Sequence, residues 1–497
     1  MFKKILCARL ATGMLAGSLI ACANDSDETN ETKDNQQTGA STEEDTRETL
    51  DIPPTRYDGK ELCFLVRGGT GAWCTVEVFA DSSTTNSDNI SYAVFERNDK
   101  ILQNYGVTIV EYRSEDHHTD VSNELAAPTG DFQAIATNVT NSASFASSGY
   151  LWNLNSDDVQ YVDTQKPWWD TKMAEGMSID NRLYFVTGDI MTLDNDATFA
   201  IMFNKSIATD CKLPNLYELV DNGQWTMNKL YEFEQTAVQD KDGQNGLSYD
   251  NDVCGFAYTQ DVPTCILVGG GVTLTAKDED DVPFYAMDVE LAQDISDIGK
   301  LIFSKDYTVH LNLTGLNDVE ASGKKCFGEN HALFFGECLQ CVTRVRGYDV
   351  DFGILPYPKF SETQDNYYSL MHSTASVVSI PKSVTGDDLA MVDAMIEAMA
   401  YYSVDTLTKQ YYEINLKTKG AKDAESGPMI DTILANRACD LAYYFGWGNG
   451  YGDIASCLLP AGTISGAGGS IASVSTRSAK SIKNGITTFL RKMQKFD

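Results

Sequence analysis

The chain is 497 residues long and carries 38 Lys and Arg against 71 Asp and Glu, a formal charge of −33. A field of that sign argues against binding nucleic acid, whose phosphates are held by Lys and Arg. The length exceeds what one compact core accommodates, so two or more lobes are expected.

The first residues read as a leader. Lys3, Lys4 and Arg9 give a positive start, and 10–21 is mostly apolar and small. That run is too short for a bilayer, which needs about 20 apolar residues, and fits a secretory signal over 1–21. It ends in Leu19-Ile20-Ala21-Cys22, which resembles the bacterial lipobox. A thiol there is diacylated and the bond before it is cut, and two acyl chains make a stable anchor. An ordinary signal peptide with a chance cysteine is the alternative. From 23 to 51 the chain is Asp, Glu, Asn, Thr and Gln. Such a segment cannot bury enough apolar surface to order itself, so 22–56 is read as a lipidated, disordered acidic tether. No later segment could span a membrane.

Beyond the tether, 61–67 (ELCFLVR) reads as a buried strand ending in Gly68-Gly69. Residues 90–105 have helical spacing, with Gly106 as the stop. A strand over 107–112, a short helix over 121–125 and a strand over 132–137 follow. Strands alternating with helices imply a doubly wound parallel sheet, with ligands beyond the carboxyl ends of its strands. Those ends are Arg67-Gly68-Gly69 and Thr137-Asn138. Further strands are expected at 199–203, 332–336, 352–355 and 375–380. Helices are expected at 215–220, 228–238, 389–412, 428–437 and 475–493.

Ten cysteines remain once Cys7 leaves with the leader and Cys22 takes lipid. An even count in an exported chain permits disulfides, but buried free thiols fit equally well. Cys338-Leu-Gln-Cys341 has CxxC spacing, yet no second pair completes a zinc site. No metal and no cofactor is expected.

Five pieces in order carry a resemblance: Pro167-Trp168-Trp169-Asp170, NRLYFVTGD over 181–189, Phe203-Asn204-Lys205, LYELV over 216–220 with Gly223-Gln224-Trp225-Thr226, and DFGILPYPK over 351–359 with Ile380-Pro381. Behind a lipobox, the set resembles the extracellular solute-binding proteins of carbohydrate-type ABC importers, family 1 type. The resemblance implies an α/β, type II periplasmic-binding-protein fold of two doubly wound lobes joined by crossover strands. It implies crossings near 203–205, 376–381 and Asp440. That divides the chain into 57–203 with 378–440 and 204–377 with 441–497. It also implies a monomer, lipid-anchored on the outer face of the cell membrane, whose lobes close on a small molecule, most simply a sugar. Delivery would be to the permease subunits of the transporter. A loop at 241–252 resembles one that holds calcium in some relatives, but it lacks the closing bidentate Glu, and a solvated turn fits it better.

Sugars present apolar faces and many hydroxyls, which aromatic rings and carboxylates meet. The candidate ligand-binding residues are therefore Trp169, Asp170, Trp447, Trp73 and Asp189, and the resemblance implies Glu337, whose position after Phe334-Phe335-Gly336 reaches the ligand in the family. Trp168 and Trp169 are adjacent and cannot both face a cleft. Trp447 sits in Phe445-Gly446-Trp447-Gly448-Asn449-Gly450, a loop rich in glycine. Trp225 is expected in the core. The rival readings are a surface glycoside hydrolase using two carboxylates and an adhesin-like lipoprotein. Neither a nucleophile elbow, a P-loop nor an internal repeat supports them.

Overall fold

The computed structural model describes residues 48–69, 78–80, 89–241, 243, 246–315, 319–412 and 424–496. The leader, Cys22, most of the tether, Trp73 and Cys74 lie outside these residues. The described strands are, in chain order, β1 (Lys60–Arg67), β2 (Val107–Ser114), β3 (Ala134–Asn138), β4 (Phe199–Asn204), β5 (Cys254–Tyr258), β6 (Thr275–Lys277), β7 (Pro283–Tyr285), β8 (Thr308–His310), β9 (Ala332–Cys338), β10 (Phe352–Leu355), β11 (Ser369–Leu370), β12 (Ser376–Ser379) and β13 (Arg437–Ala438).

Two sheets carry the architecture. The first has the order β12-β3-β1-β2 and the second β10-β4-β9-β5-β8. In the first, β1 is parallel to β2 and β3, and β12 runs antiparallel to β3 with Val377 opposite Thr137. In the second, β5 is parallel to β8 and β9, while β4 is antiparallel to β9 and β10. The chain thus enters the second sheet at β4 and returns to the first at β12.

Local chemistry explains the elements. In β1, Leu62, Phe64, Leu65 and Val66 are buried, and consecutive apolar residues are what a sheet covered on both faces requires. The helix Asn89–Tyr105 buries Ala93, Val94, Arg97, Ile101 and Tyr105 along one stripe. Gly106 then takes φ +74°, and a Cβ there would lie 2.9 Å from Asp58 Cα, so only glycine ends this helix and starts β2. The second helix begins at His117, earlier than the expected 121, because the Asp116 carboxylate caps the Thr119 N–H. The expected 389–412 helix is α-helical over Gly386–Ser403 and π-helical over Val404–Thr408.

The Gly386–Ser403 helix is buried on nearly every side and carries two acids inward. The Asp393 carboxylate accepts the backbone N–H of Gln160, Tyr161 and Val162. One turn on, Glu397 accepts the indole N–H of both Trp168 and Trp169 at 2.8 Å and the N–H of Asp163. Burial pushes the Glu397 carboxyl up to about 7, although these donors pull the other way. The folded protein therefore keeps a proton that the unfolded chain releases above its ordinary 4.5. The stability this proton contributes is complete below that value and is lost as pH rises through about 7. Glu397→Gln is expected to flatten the fall in unfolding free energy between acid and neutral pH by about 2 kcal/mol. Urea denaturation at both ends of the window measures this, and identical slopes for parent and variant contradict it.

Candidate ligand-binding site

Beyond the carboxyl end of β5 the chain runs Thr259-Gln260-Asp261 and turns into the helix Val262–Gly269. Pro263 stands in its first turn, where a missing N–H costs nothing, and every residue of that helix is buried. The strand end is thereby fixed. Gln260 N–H donates to Asn312 Oδ1 at 2.8 Å. Asp261 follows with its side chain 38% exposed, facing a cavity of about 450 Å³.

The opposite wall comes from the chain after β13. Asp440 is buried and its carboxylate gathers the N–H of Leu274, Thr275 and Ala442 with the hydroxyls of Thr275 and Tyr451. From this knot the chain continues through Gly446 (φ 65°), Gly448 (φ 67°), Asn449 (φ 66°) and Gly450 (φ 52°). Left-handed backbone of this kind is open to glycine and tolerated by asparagine, which accounts for the glycine spacing in the sequence. The turns wrap the cavity and set Tyr443, Asn449 and Tyr451 in its wall. Tyr451 is spent on Asp440 and on Val272 O, so Tyr443 is the ring available to a ligand. Burial raises the Tyr443 phenol above its usual range, so it stays protonated, with Ser373 as a hydrogen-bond neighbour.

His372 stands across from Asp261, its Nε2 3.9 Å from Oδ1. Thr374 N–H donates to His372 Nδ1 at 3.1 Å, which makes Nδ1 the acceptor and puts the ring proton on Nε2, aimed at Asp261. Burial raises the Asp261 carboxyl and lowers the imidazole, and the attraction between them opposes both shifts. Glu337, at the end of β9, is pushed up to about 7 by burial, with the nearby Asp261 carboxyl adding to the rise. Its Oε1 accepts from Cys338 N–H. The cavity lining contains no Lys or Arg.

Of the expected site residues that are described, Glu337 alone lies beside this arrangement, next to Asp261 but outside the cavity lining. Trp169 is 4% exposed and its N–H is held by Glu397, so neither of the adjacent indoles is an open platform. Asp170 caps the helix Thr171–Met177 and pairs with Arg437 at 2.6 Å. Asp189 accepts from the Thr408 hydroxyl, and its own N–H goes to Trp168 O. The preceding Gly188 is needed because a Cβ there would lie 2.4 Å from that same carbonyl. Trp169 ties the 160–190 segment to the Gly386–Ser403 helix, Asp189 ties it to the π-helical turn that follows, and Asp170 ties it to Arg437 of β13, all three away from the lining of this cavity. Trp73 lies outside the described residues. Trp225 is fully buried, its N–H on Pro356 O, as expected of a core residue.

Trp447 corrects the reading of its loop. The loop borders the cavity, but the indole turns away, 8% exposed, onto Phe445 and Phe489, with Gly485 making room for it. Its edge borders a separate depression of about 400 Å³ beside Lys492. Trp447→Ala is therefore expected to destabilise the fold by about 3 kcal/mol and to leave ligand affinity nearly unchanged. A variant of parental stability that had lost affinity tenfold or more would return the indole to the site.

The 241–252 loop is tied by Asp252, whose carboxylate accepts the N–H of Lys241 and Ser248. Among the described residues no group of three or more His, Cys, Asp and Glu side chains is placed to hold a metal.

No protein-family model and no curated sequence matches the chain. Solved structures match at low identity. Apo RafE from Streptococcus pneumoniae superposes with a TM-score of 0.52 and 11% identity, over 86% of this chain and 100% of that one. The maltose/maltodextrin-binding domain MalE from Bdellovibrio bacteriovorus, bound to maltotriose, gives 0.51 and 14% over 86% and 100%. UgpB from Mycobacterium tuberculosis, in complex with glycerophosphocholine, gives 0.51 and 15% over the same shares. The likeness is one of fold: the chain has the α/β, type II periplasmic-binding architecture.

Proposed function

We propose, from a chain with the fold of solute-binding proteins, that it is the substrate-binding component of an ABC importer. It captures a neutral mono- or oligosaccharide at the cavity of Asp261 and Tyr443 and hands it unaltered to permease subunits. The observation that carries this reading is the cavity itself, about 450 Å³, with a carboxylate, the Gln260 and Asn449 amides and a tyrosine ring, and no cation in its lining. A ring covers the apolar face of a sugar, while carboxylate and amides meet its hydroxyls. Among the proteins of like fold, one was solved with maltotriose and one with glycerophosphocholine. A phosphate-bearing ligand calls for Lys or Arg, so the lining favours the neutral glycan.

Hydrolysis would need two carboxylates flanking the bond to be cut. Asp261 is the one acid in the lining, so the reading is of a binder and not an enzyme. The two lobes are proposed to divide at the strands that change sheets, with the first crossing before Phe199 and the second before Ser376, since β4 and β12 pair wholly within the second and the first sheet respectively. Closure of the lobes is driven by the ligand's greater affinity for the closed form.

The mature protein is further proposed to begin at Cys22, lipid-anchored outside the membrane behind its acidic tether. Among the described residues no helix is long and apolar enough to cross a membrane. Cys22→Ser should move the protein from the washed membrane fraction to the medium or periplasm without altering its melting temperature. Persistence of the variant in membranes would count against the anchor.

Calorimetry of the mature protein against maltotriose, raffinose and glycerophosphocholine tests the function. A neutral oligosaccharide should bind with Kd on the order of 1 μM and be recovered intact. Cleavage of the sugar, or binding of the phosphodiester alone, would overturn the proposal.

A further inference from the structure

The acidic chain ends in a basic face. From 454 to 496 the sequence contains no Asp or Glu, but it contains Arg477, Lys480, Lys483, Arg491, Lys492 and Lys495. The helix Ile471–Met493 occupies most of this stretch. It buries Val474, Ser478, Ile482, Ile486, Phe489 and Met493, which recur at threes and fours. All the named cations are exposed. Arg477, Lys480, Lys483, Arg491 and Lys495 fall on the side away from the buried stripe, over about 27 Å of axis. Lys492 stands beside them and donates to Ser147 O at 3.2 Å.

These charges are unspent. Among the described residues none of them is in an ion pair, whereas Lys60, Lys100, Lys166, Lys229, Lys277 and Lys300 each are. The helix Val139–Ser147 and β7 pack against this helix and contain no acid. The helix Val289–Ile302, packed alongside, brings Glu290, Asp294 and Asp297, and Asp297 already holds Lys300. Asp453, on the short helix Gly452–Ser456, accepts from Asn449. Between the cations the surface is Ser481, Asn484, Thr487 and Thr488. Such a face lacks the aromatic anchors on which protein partners concentrate affinity. It suits a diffuse layer of negative charge, as lipid headgroups present.

We propose that this face docks on the anionic phospholipid headgroups of the membrane beside which the chain is held, a proposal that rests on the anchored reading of Cys22. The total charge of −33 does not prevent the contact, because salt screens charges farther away than about 8 Å, so the membrane meets only the face turned toward it. Each cation near an anionic surface strengthens adsorption about fivefold. In physiological salt the contact is weak for a free chain, so Cys22→Ser still leaves washed membranes. The lipid anchor raises the local concentration, and with it the share of time the helix lies on the surface. The contact thereby sets how the folded body is oriented at the membrane.

Sedimentation of the unlipidated mature chain, Cys22→Ser, with vesicles tests this apart from the anchor. At about 20 mM salt it should pellet with vesicles of equal phosphatidylglycerol and phosphatidylcholine, and about 300 mM salt should release it. With phosphatidylcholine alone it should stay in solution. Lys480→Glu, Lys483→Glu and Arg491→Glu together should weaken pelleting about a hundredfold and leave the melting temperature unchanged. Lys241→Glu, Lys305→Glu and Lys409→Glu, at exposed positions outside the helix, change the net charge equally and should leave pelleting as it is. A parent chain that stays in solution with the anionic vesicles overturns the proposal. Equal loss in the two triple variants also overturns it, since pelleting would then report net charge and not this face. Pelleting only with phosphatidylcholine vesicles that carry the permease would assign the face to a protein partner, and the proposal would fail. None of these outcomes touches the anchor, which is read from the fractionation of the Cys22 variant.

Discussion

Asp440→Ala is expected to destabilise the fold by about 4 kcal/mol. One buried carboxylate holds three backbone N–H groups and two hydroxyls, drawn from the segment at Leu274 and Thr275 and from the turns at Ala442 and Tyr451. Alanine would take this acceptor from the three N–H groups and the Thr275 hydroxyl, while Tyr451 would keep Val272 O, and each buried orphan costs about 1–3 kcal/mol before neighbours and water recover a part. Asp440→Asn keeps one oxygen and should lose roughly half as much. The effect reaches the site, because the turns that leave Asp440 carry Tyr443 and Asn449 to the cavity wall. Both variants should therefore bind ligand more weakly even where they remain folded. Urea denaturation measures the stability term. A loss under about 1 kcal/mol for the alanine variant would mean that the knot is replaceable and does not hold the wall.

Asp261→Ala is expected to do the opposite, weakening oligosaccharide binding at least a hundredfold, about 2.7 kcal/mol, with little change in stability. Its carboxylate is partly exposed and stands 3.9 Å from the imidazole of His372, too far for a strong ion pair. What the fold takes from this residue is backbone: its carbonyl accepts from Thr264 and Cys265 N–H at the helix start. A ligand hydroxyl bound to the carboxylate gains a charge-assisted hydrogen bond worth about 1.5–3 kcal/mol. Asp261→Asn, which keeps an acceptor without the charge, should lose only about tenfold. Unchanged affinity in the alanine variant would place the ligand elsewhere on the molecule.

The contrast between these aspartates shows where sequence reading stops. β1, the helix Asn89–Tyr105 and Gly106 were legible because apolar spacing and a left-handed stop are local signals. β5 and β8 were not: CGFAY and TVH, stretches of five and three residues, have no alternation to read, so the strand end that presents Asp261 went unseen. A cue was present in Thr259-Gln260-Asp261 just ahead of Pro263, a strand end running into a helix start. The helix Val289–Ile302 also had a readable pattern, with Asp288 as its cap and Ala292, Ile295, Gly299 and Ile302 buried at threes and fours.

The aromatic candidates Trp169 and Trp447 stand away from the cavity lining for a different reason. An indole beside a carboxylate suits a sugar site and a buried polar network equally well. What decides between them is Glu397, 228 residues away from Trp169 in the chain. Glycines at 446, 448 and 450 announced an unusual loop correctly, but positive φ says nothing about which side of the loop a ring occupies. Tyr443 faces the cavity and Trp447 packs behind it against Phe489.

Small-angle scattering of the mature protein, alone and saturated with the oligosaccharide that calorimetry selects, bears most directly on reversible capture between two lobes. A smaller radius of gyration with bound sugar, restored when the intact sugar is dialysed away, is the expected result. A curve that does not change while the sugar is bound would contradict it.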